Sequence, residues 1–123
     1  MNKLEIIQEL LVDTYAKNPK LRAVNNMENC RYTTEDGRHC AVGMCMTKES
    51  ETNFGDFIGS FPSLIDFHDI DNHDSLLQEK YHGHGLDFWS DMQIFHDTHL
   101  NFTETGLSEI GEFRLLGLQE RHE

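Results

Sequence analysis

Positive charge is scarce in this chain: ten Lys and Arg stand against 22 Asp and Glu over 123 residues, a formal net charge of −12. Phosphate contact depends on Lys and Arg, so direct nucleic-acid binding is disfavoured. Proline is scarcer still, at two, and there are three cysteines, Cys30, Cys40 and Cys45. An odd count argues against a secreted disulfide framework and leaves packing, metal or reactive-thiol roles open. No apolar run approaches the ~20 residues of a membrane-spanning helix. The acids inside MNKLEIIQELLVD argue against a signal peptide, so a cytoplasmic protein with no membrane association is expected. What is present suffices for a core: 37% hydrophobic residues, including eight Phe. The length fits a single globular domain over residues 1–123.

The charge is unevenly spread. Residues 1–48 hold seven bases and six acids, whereas residues 49–113 hold fourteen acids and one base, Lys80. Six of the eight histidines lie in that acidic stretch: His68, His73, His82, His84, His96 and His99. Such self-repulsion opposes folding unless the charge meets solvent, a cation or a basic partner. One reading is a solvated face that aids solubility. A sharper one is a surface that mimics nucleic acid or docks onto a basic protein, with Asp66, Asp69, Asp71, Asp74, Asp87 and Asp91 as contact residues.

Local patterning predicts a mostly helical chain. Asn2 and Glu5 have the form of a capping box, and Leu4, Ile7, Leu10 and Leu11 recur at helical spacing until Asn18-Pro19, giving a helix over 3–17. Asp36-Gly37 between Cys30–Thr33 and His39–Val42 signals a hairpin turn, although residues 40–46 could equally begin a buried helix. Residues 47–60 read as an ordered loop or short helix. Phe61-Pro62 opens a short apolar turn, and Asp74 is placed to cap a helix through Leu76, Leu77 and Tyr81 that HGHG at 82–85 ends. An aromatic helix follows, with Leu86, Phe88, Trp89, Met92 and Phe95 inward and Asp87, Asp91 and Asp97 outward. A last helix starts near Thr105 or Ser108 and carries Ile110, Phe113, Leu115 and Leu116. The expected class is α+β: a mostly helical domain of about four helices with one small β-hairpin.

Three residue groups could carry chemistry. Cys30 and Cys40 flank the turn, with Cys45 nearby, and a thiolate pair can bind zinc or form a redox disulfide. A lone Cys-x9-Cys lacks the usual zinc-knuckle spacing, and buried cysteine also serves as a small hydrophobe. His82-x-His84 could chelate a divalent metal such as zinc, and His96 and His99 share a helix face. The His68-Asp69 and His96-Asp97 dipeptides are like those of helical metal-dependent phosphohydrolases, a fold for which this chain is short. In an acidic setting these imidazoles should titrate above about 6.5. Asp69-x-Asp71-x-His73 fails as an EF-hand, because Asp74 replaces the glycine and Lys80 the closing Glu. No Gly-x-Ser-x-Gly elbow or phosphate loop is present, and a pairing of Cys30 or Cys40 with His96 as nucleophile and base rests on no spacing in the sequence.

Cys30-Arg31-Tyr32, Asp36-Gly37-Arg38 and Cys40-Ala41-Val42-Gly43 resemble the signature of a group of small uncharacterised proteins of tailed bacteriophages and prophages. The similarity extends through Phe61-Pro62-Ser63-Leu64, Met92-Gln93-Ile94-Phe95-His96-Asp97 and Gly106-Leu107-Ser108-Glu109. It departs from the group's pattern at the histidine-rich acidic stretch from His68 to His84. Carried over onto this sequence, the motif positions are Cys30, Tyr32, Cys40, Gly43, His96 and Asp97. The resemblance implies phage origin and a bacterial host cytoplasm, and supplies no activity.

Three functions follow as expectations. The first is a non-enzymatic phage accessory protein that binds a host or anti-phage defence component stoichiometrically through residues 49–113. The second is a metal-binding protein or metal-dependent hydrolase using His82, His84, His96, His99 and Asp97. The third is a domain sequestering a small ligand, such as a nucleotide signal, between the Cys30–Cys45 hairpin and the aromatic helix. The balance favours a binding protein over an enzyme.

Overall fold

A computed structural model describes residues 1–23 and 31–123. The capping box forms as expected: Asn2 Oδ1 accepts from the Glu5 N–H at 2.8 Å, and Glu5 Oε1 accepts from the Asn2 N–H at 2.9 Å. It starts helix α1 (Lys3–Ile7), which continues without a break as a π-helix over Gln8–Ala16. The wider turn brings residues five apart into line. Ile6, Leu11 and Leu10, Tyr15 accordingly all face the core.

The expected α+β class with a β-hairpin is overturned. No sheet forms among the described residues, only isolated bridges such as Thr33 to His39. The turn itself is present: Gly37 has φ +84° and the Thr34 N–H reaches the Arg38 carbonyl at 2.9 Å. Beyond it the chain winds into helix α2 (Ala41–Cys45) instead of pairing. The cause is local and tertiary together. Cys40 Sγ accepts from the Gly43 N–H at 3.3 Å, capping the helix, and Ala41, Val42, Gly43 and Cys45 are all buried. A helix satisfies such buried backbone internally, whereas a lone strand would leave one side unpaired. Of the hairpin's expected first arm, Cys30–Thr33, Cys30 lies outside the described residues.

Helices α3 (Lys48–Phe54) and α4 (Phe61–Phe67) follow, each started by a hydroxyl accepting from the N–H three residues on, Thr47 to Ser50 and Ser60 to Ser63. Asp74 is not a helix cap: Asn72 Oδ1 accepts from the Asp74 N–H, and two 3₁₀ turns (His73–Leu76, Glu79–Tyr81) replace the expected helix. Helix α5 (Leu86–Asp97) is the centre of the fold, packing on α2 and α4 and burying Phe88, Trp89, Met92, Gln93, Phe95 and His96. Helix α6 (Glu109–Arg121), capped by Ser108, closes the chain against a 3₁₀ turn at His99–Asn101. The described residues thus hold six α-helices rather than about four.

One device is used twice. In Cys40-Ala41-Val42-Gly43 and Ser108-Glu109-Ile110-Gly111 the first side chain accepts from the glycine N–H. The first residue's own N–H donates to the carbonyl of a preceding segment, Tyr32 or Asn101. That carbonyl oxygen lies 2.0 Å from where a β-carbon on the glycine would sit. Each helix start is therefore docked, backbone on backbone, by a residue with no side chain. The docking also sets which side of α6 faces inward. Gly111 and Leu118 are buried, while Ile110, Phe113 and Leu116 stay 48–79% exposed.

Candidate functional site

Two of the motif positions, His96 and Asp97, belong to a buried polar knot. His96 projects from the last turn of α5 and is 0% exposed. Its Nδ1 lies 2.6 Å from Asp97 Oδ1, and its ring meets Tyr15 edge-on at 4.8 Å. The Tyr15 hydroxyl donates to the His39 carbonyl at 2.7 Å. Arg22 Nε donates to the His96 carbonyl at 2.6 Å, with its guanidinium 4.3 Å above the Phe102 ring.

Burial holds the His96 imidazole below its ordinary range; the Asp97 contact and charge pull the other way without prevailing. The expectation that this histidine titrates high is therefore corrected. The neutral ring donates from Nδ1 to Asp97. With no exposed surface, His96 ties α5 to the Tyr15 and His39 segments. It is not placed to act on a substrate.

The cysteines are placed likewise. Cys40 and Cys45 are free thiols in the core, Cys40 as the α2 cap and Cys45 donating to the Ala41 carbonyl at 3.4 Å. Burial raises the Cys45 thiol well above the ordinary range, the Cys40 and Glu9 charges adding to it. Cys30 lies outside the described residues. Tyr32 and Gly43 meet at the α2 docking point, so five of the six motif residues do structural work and the sixth is not described.

The histidines do not converge. Among the described residues no three His, Cys, Asp or Glu side chains come together to hold a metal ion. His82 Nε2 is 2.8 Å from the Leu77 carbonyl, His84 Nε2 2.9 Å from the Met1 carbonyl and His73 Nε2 2.6 Å from the His84 carbonyl. These rings staple the HGHG bend to its neighbours. His99, exposed on its 3₁₀ turn, is separated from His96 by the end of α5. Thr33 and Glu51 both approach His39, at 3.2 and 3.9 Å, on the same Nδ1. The carboxylate competes with the hydroxyl there instead of orienting the ring for it.

The acidic residues divide into two kinds. Asp74 and Asp91 are used internally: Asp74 Oδ2 accepts from the Gly83 N–H at 3.1 Å, and Asp91 Oδ2 meets His122 Nε2 at 2.8 Å and Arg121 Nε at 3.5 Å. Asp66, Asp69, Asp71 and Asp87 are exposed. Three of these border a feature the sequence reading missed. Phe54, Phe57, Phe67 and His68, from α3, α4 and the loop between them, stack on one another with ring centroids 4.7–6.1 Å apart. Phe67 is 76% and Ile58 53% exposed. Residues 49–72 supply six acids and no Lys or Arg. The signal was present in the interleaved Phe54, Phe57 and Ile58 of a polar stretch, but periodicity does not show that Phe67 joins them.

Where a ligand chamber was expected between the cysteine hairpin and the aromatic helix, α2 packs on α5. An open groove of about 520 Å³ runs between α5 and α6. No helix among the described residues is long and apolar enough to cross a membrane. No family model matches the chain, and neither a curated protein nor a solved structure matches it.

Proposed function

We propose that the protein is a stoichiometric binding protein whose working face is the aromatic cluster of Phe57, Ile58, Phe67 and His68 with its border of Asp56, Asp66, Asp69 and Asp71. The observation that carries this reading is the exposure of Phe67 within a stretch that lacks every Lys and Arg. Large exposed aromatics ringed by polar groups mark interaction sites, and aromatic anchors dominate interface energies. The acids select a partner with a basic surface, steering its approach and suppressing acidic competitors. A host or anti-phage defence protein that handles nucleic acid has such a surface, and the similarity to phage proteins points the same way. The two buried thiols and the inaccessible His96 favour binding over catalysis.

The test is competition. Tag-free protein is titrated into complexes of bacterial DNA-binding proteins with a labelled duplex, and the anisotropy of the duplex is followed. Displacement of at least one such protein is expected, weakening as salt rises. It should be lost in Phe67→Ser and in the combined Asp66→Asn, Asp69→Asn, Asp71→Asn variant. Failure to displace any of them at low salt, or equal displacement by these variants, would sink the reading.

A further inference from the structure

Helix α6 has apolar residues on the side facing away from the protein. Gly111 and Leu118 define its buried side, and Ile110, Phe113, Leu116 and Gly117 lie three and four apart on the opposite one. Phe113 is 79% exposed and stands on the wall of the α5–α6 groove, whose other members include Ile94, itself 63% exposed, and Gly117.

Gly117 is unexplained within one copy of the chain. A β-carbon there would meet only the end of the Arg121 side chain, at 3.9 Å, unlike the 2.0 Å clash at Gly111. Glycine inside a helix costs roughly 1 kcal/mol against alanine, so its own packing does not account for it. It leaves a notch beside a protruding phenyl ring.

A projection and a notch on the same face are the requirement for a two-fold, self-complementary contact. We infer that α6 pairs antiparallel with α6 of a second copy of this chain, Phe113 of each seating over Gly117 of the other and against the α5–α6 groove. The register that sets Phe113 opposite Gly117 also sets Glu109 opposite Arg121, joining opposite charges at both ends. Glu109 lies in the first turn and Arg121 in the last, so their helix dipoles add to the match. This contact is independent of the aromatic face of α3 and α4. It has the opposite salt dependence, because each copy carries −12 and screening lets two copies approach.

Sedimentation equilibrium of the full chain from about 5 to 500 µM tests it. The weight-average mass should double across that range, at lower concentration when salt is added. Phe113→Asp and Gly117→Leu should each remain monomeric with unchanged far-UV circular dichroism, the first melting as wild type does in dilute solution and the second no lower, since neither position packs on its own chain and leucine replaces a helix-interior glycine. Glu109→Arg should weaken association at least tenfold, and adding Arg121→Glu should restore it. A wild-type chain that stays monomeric throughout, or a dimer that survives both Phe113→Asp and Gly117→Leu, would overturn the inference.

Discussion

The carbonyl oxygen of Tyr32 lies 2.0 Å from the point where a β-carbon on residue 43 would be, so Gly43 and Tyr32 share one space. The same oxygen accepts from the Cys40 N–H at 3.3 Å. Asn101 stands in that relation to Gly111 and Ser108. Gly43→Ala and Gly111→Ala should therefore each lower stability by about 1–3 kcal/mol, because a backbone carbonyl must move. Gly117→Ala, measured by urea denaturation in dilute solution, should instead raise it by about 0.4–1 kcal/mol. Equal responses at the three positions would contradict the docking geometry.

His96 predicts an acid-side loss of stability. Its folded pKa lies below the ordinary 6.5, because burial outweighs Asp97, so the unfolded chain binds the proton more readily. The neutral ring's contribution is complete above about pH 6.5 and is withdrawn as the pH falls below it, until the folded value is reached. His96→Gln should remove a pH slope of at most about 1.4 kcal/mol per unit between pH 6.5 and 5, read as the difference between two denaturation series. Identical slopes in wild type and variant would show that His96 is not held neutral.

Cys40 and Cys45 should be inert in the native state. In a Cys30→Ser background, Ellman's reagent should react with neither thiol except through unfolding, and the rate should rise with urea as global stability falls. Rapid labelling without denaturant would mean that α2 opens independently.

Tyr81 donates to Glu9 Oε1 at 2.7 Å, tying a 3₁₀ turn to the π-helix. Burial, with the Glu9 contact next, holds the Tyr81 phenol above its ordinary range. Tyr81→Phe should cost about 1.5–3 kcal/mol, as a hydrogen bond to a charged group does. Glu9→Gln should cost less, since an amide oxygen can still accept. The two denaturation midpoints decide it.

Some helix starts were legible because caps act over three residues: Asn2 and Glu5 stand where their side chains predict, and Ser108 is one of the two starts, with Thr105, that the pattern allowed, whereas Asp74 caps no helix. The Asp36-Gly37 turn was legible for the same reason. The hairpin was not, since periodicity over residues 40–46 does not separate a strand from a buried helix, and only burial of Ala41, Val42 and Cys45 on α5 selects the helix. Spacing places His96 and His99 together, yet one is sealed in the core and the other lies on the surface.

The sequence by itself determined that the chain is mostly helical, the Asn2–Glu5 capping box and the concentration of acid in residues 49–113, because these depend on composition and on contacts a few residues long. Tertiary structure decided which side of α6 is covered, that Cys40, Cys45 and His96 are sealed, and that Phe67 joins Phe57 at the surface. Periodicity states which residues share a face; only packing of distant segments decides whether that face meets the core or water.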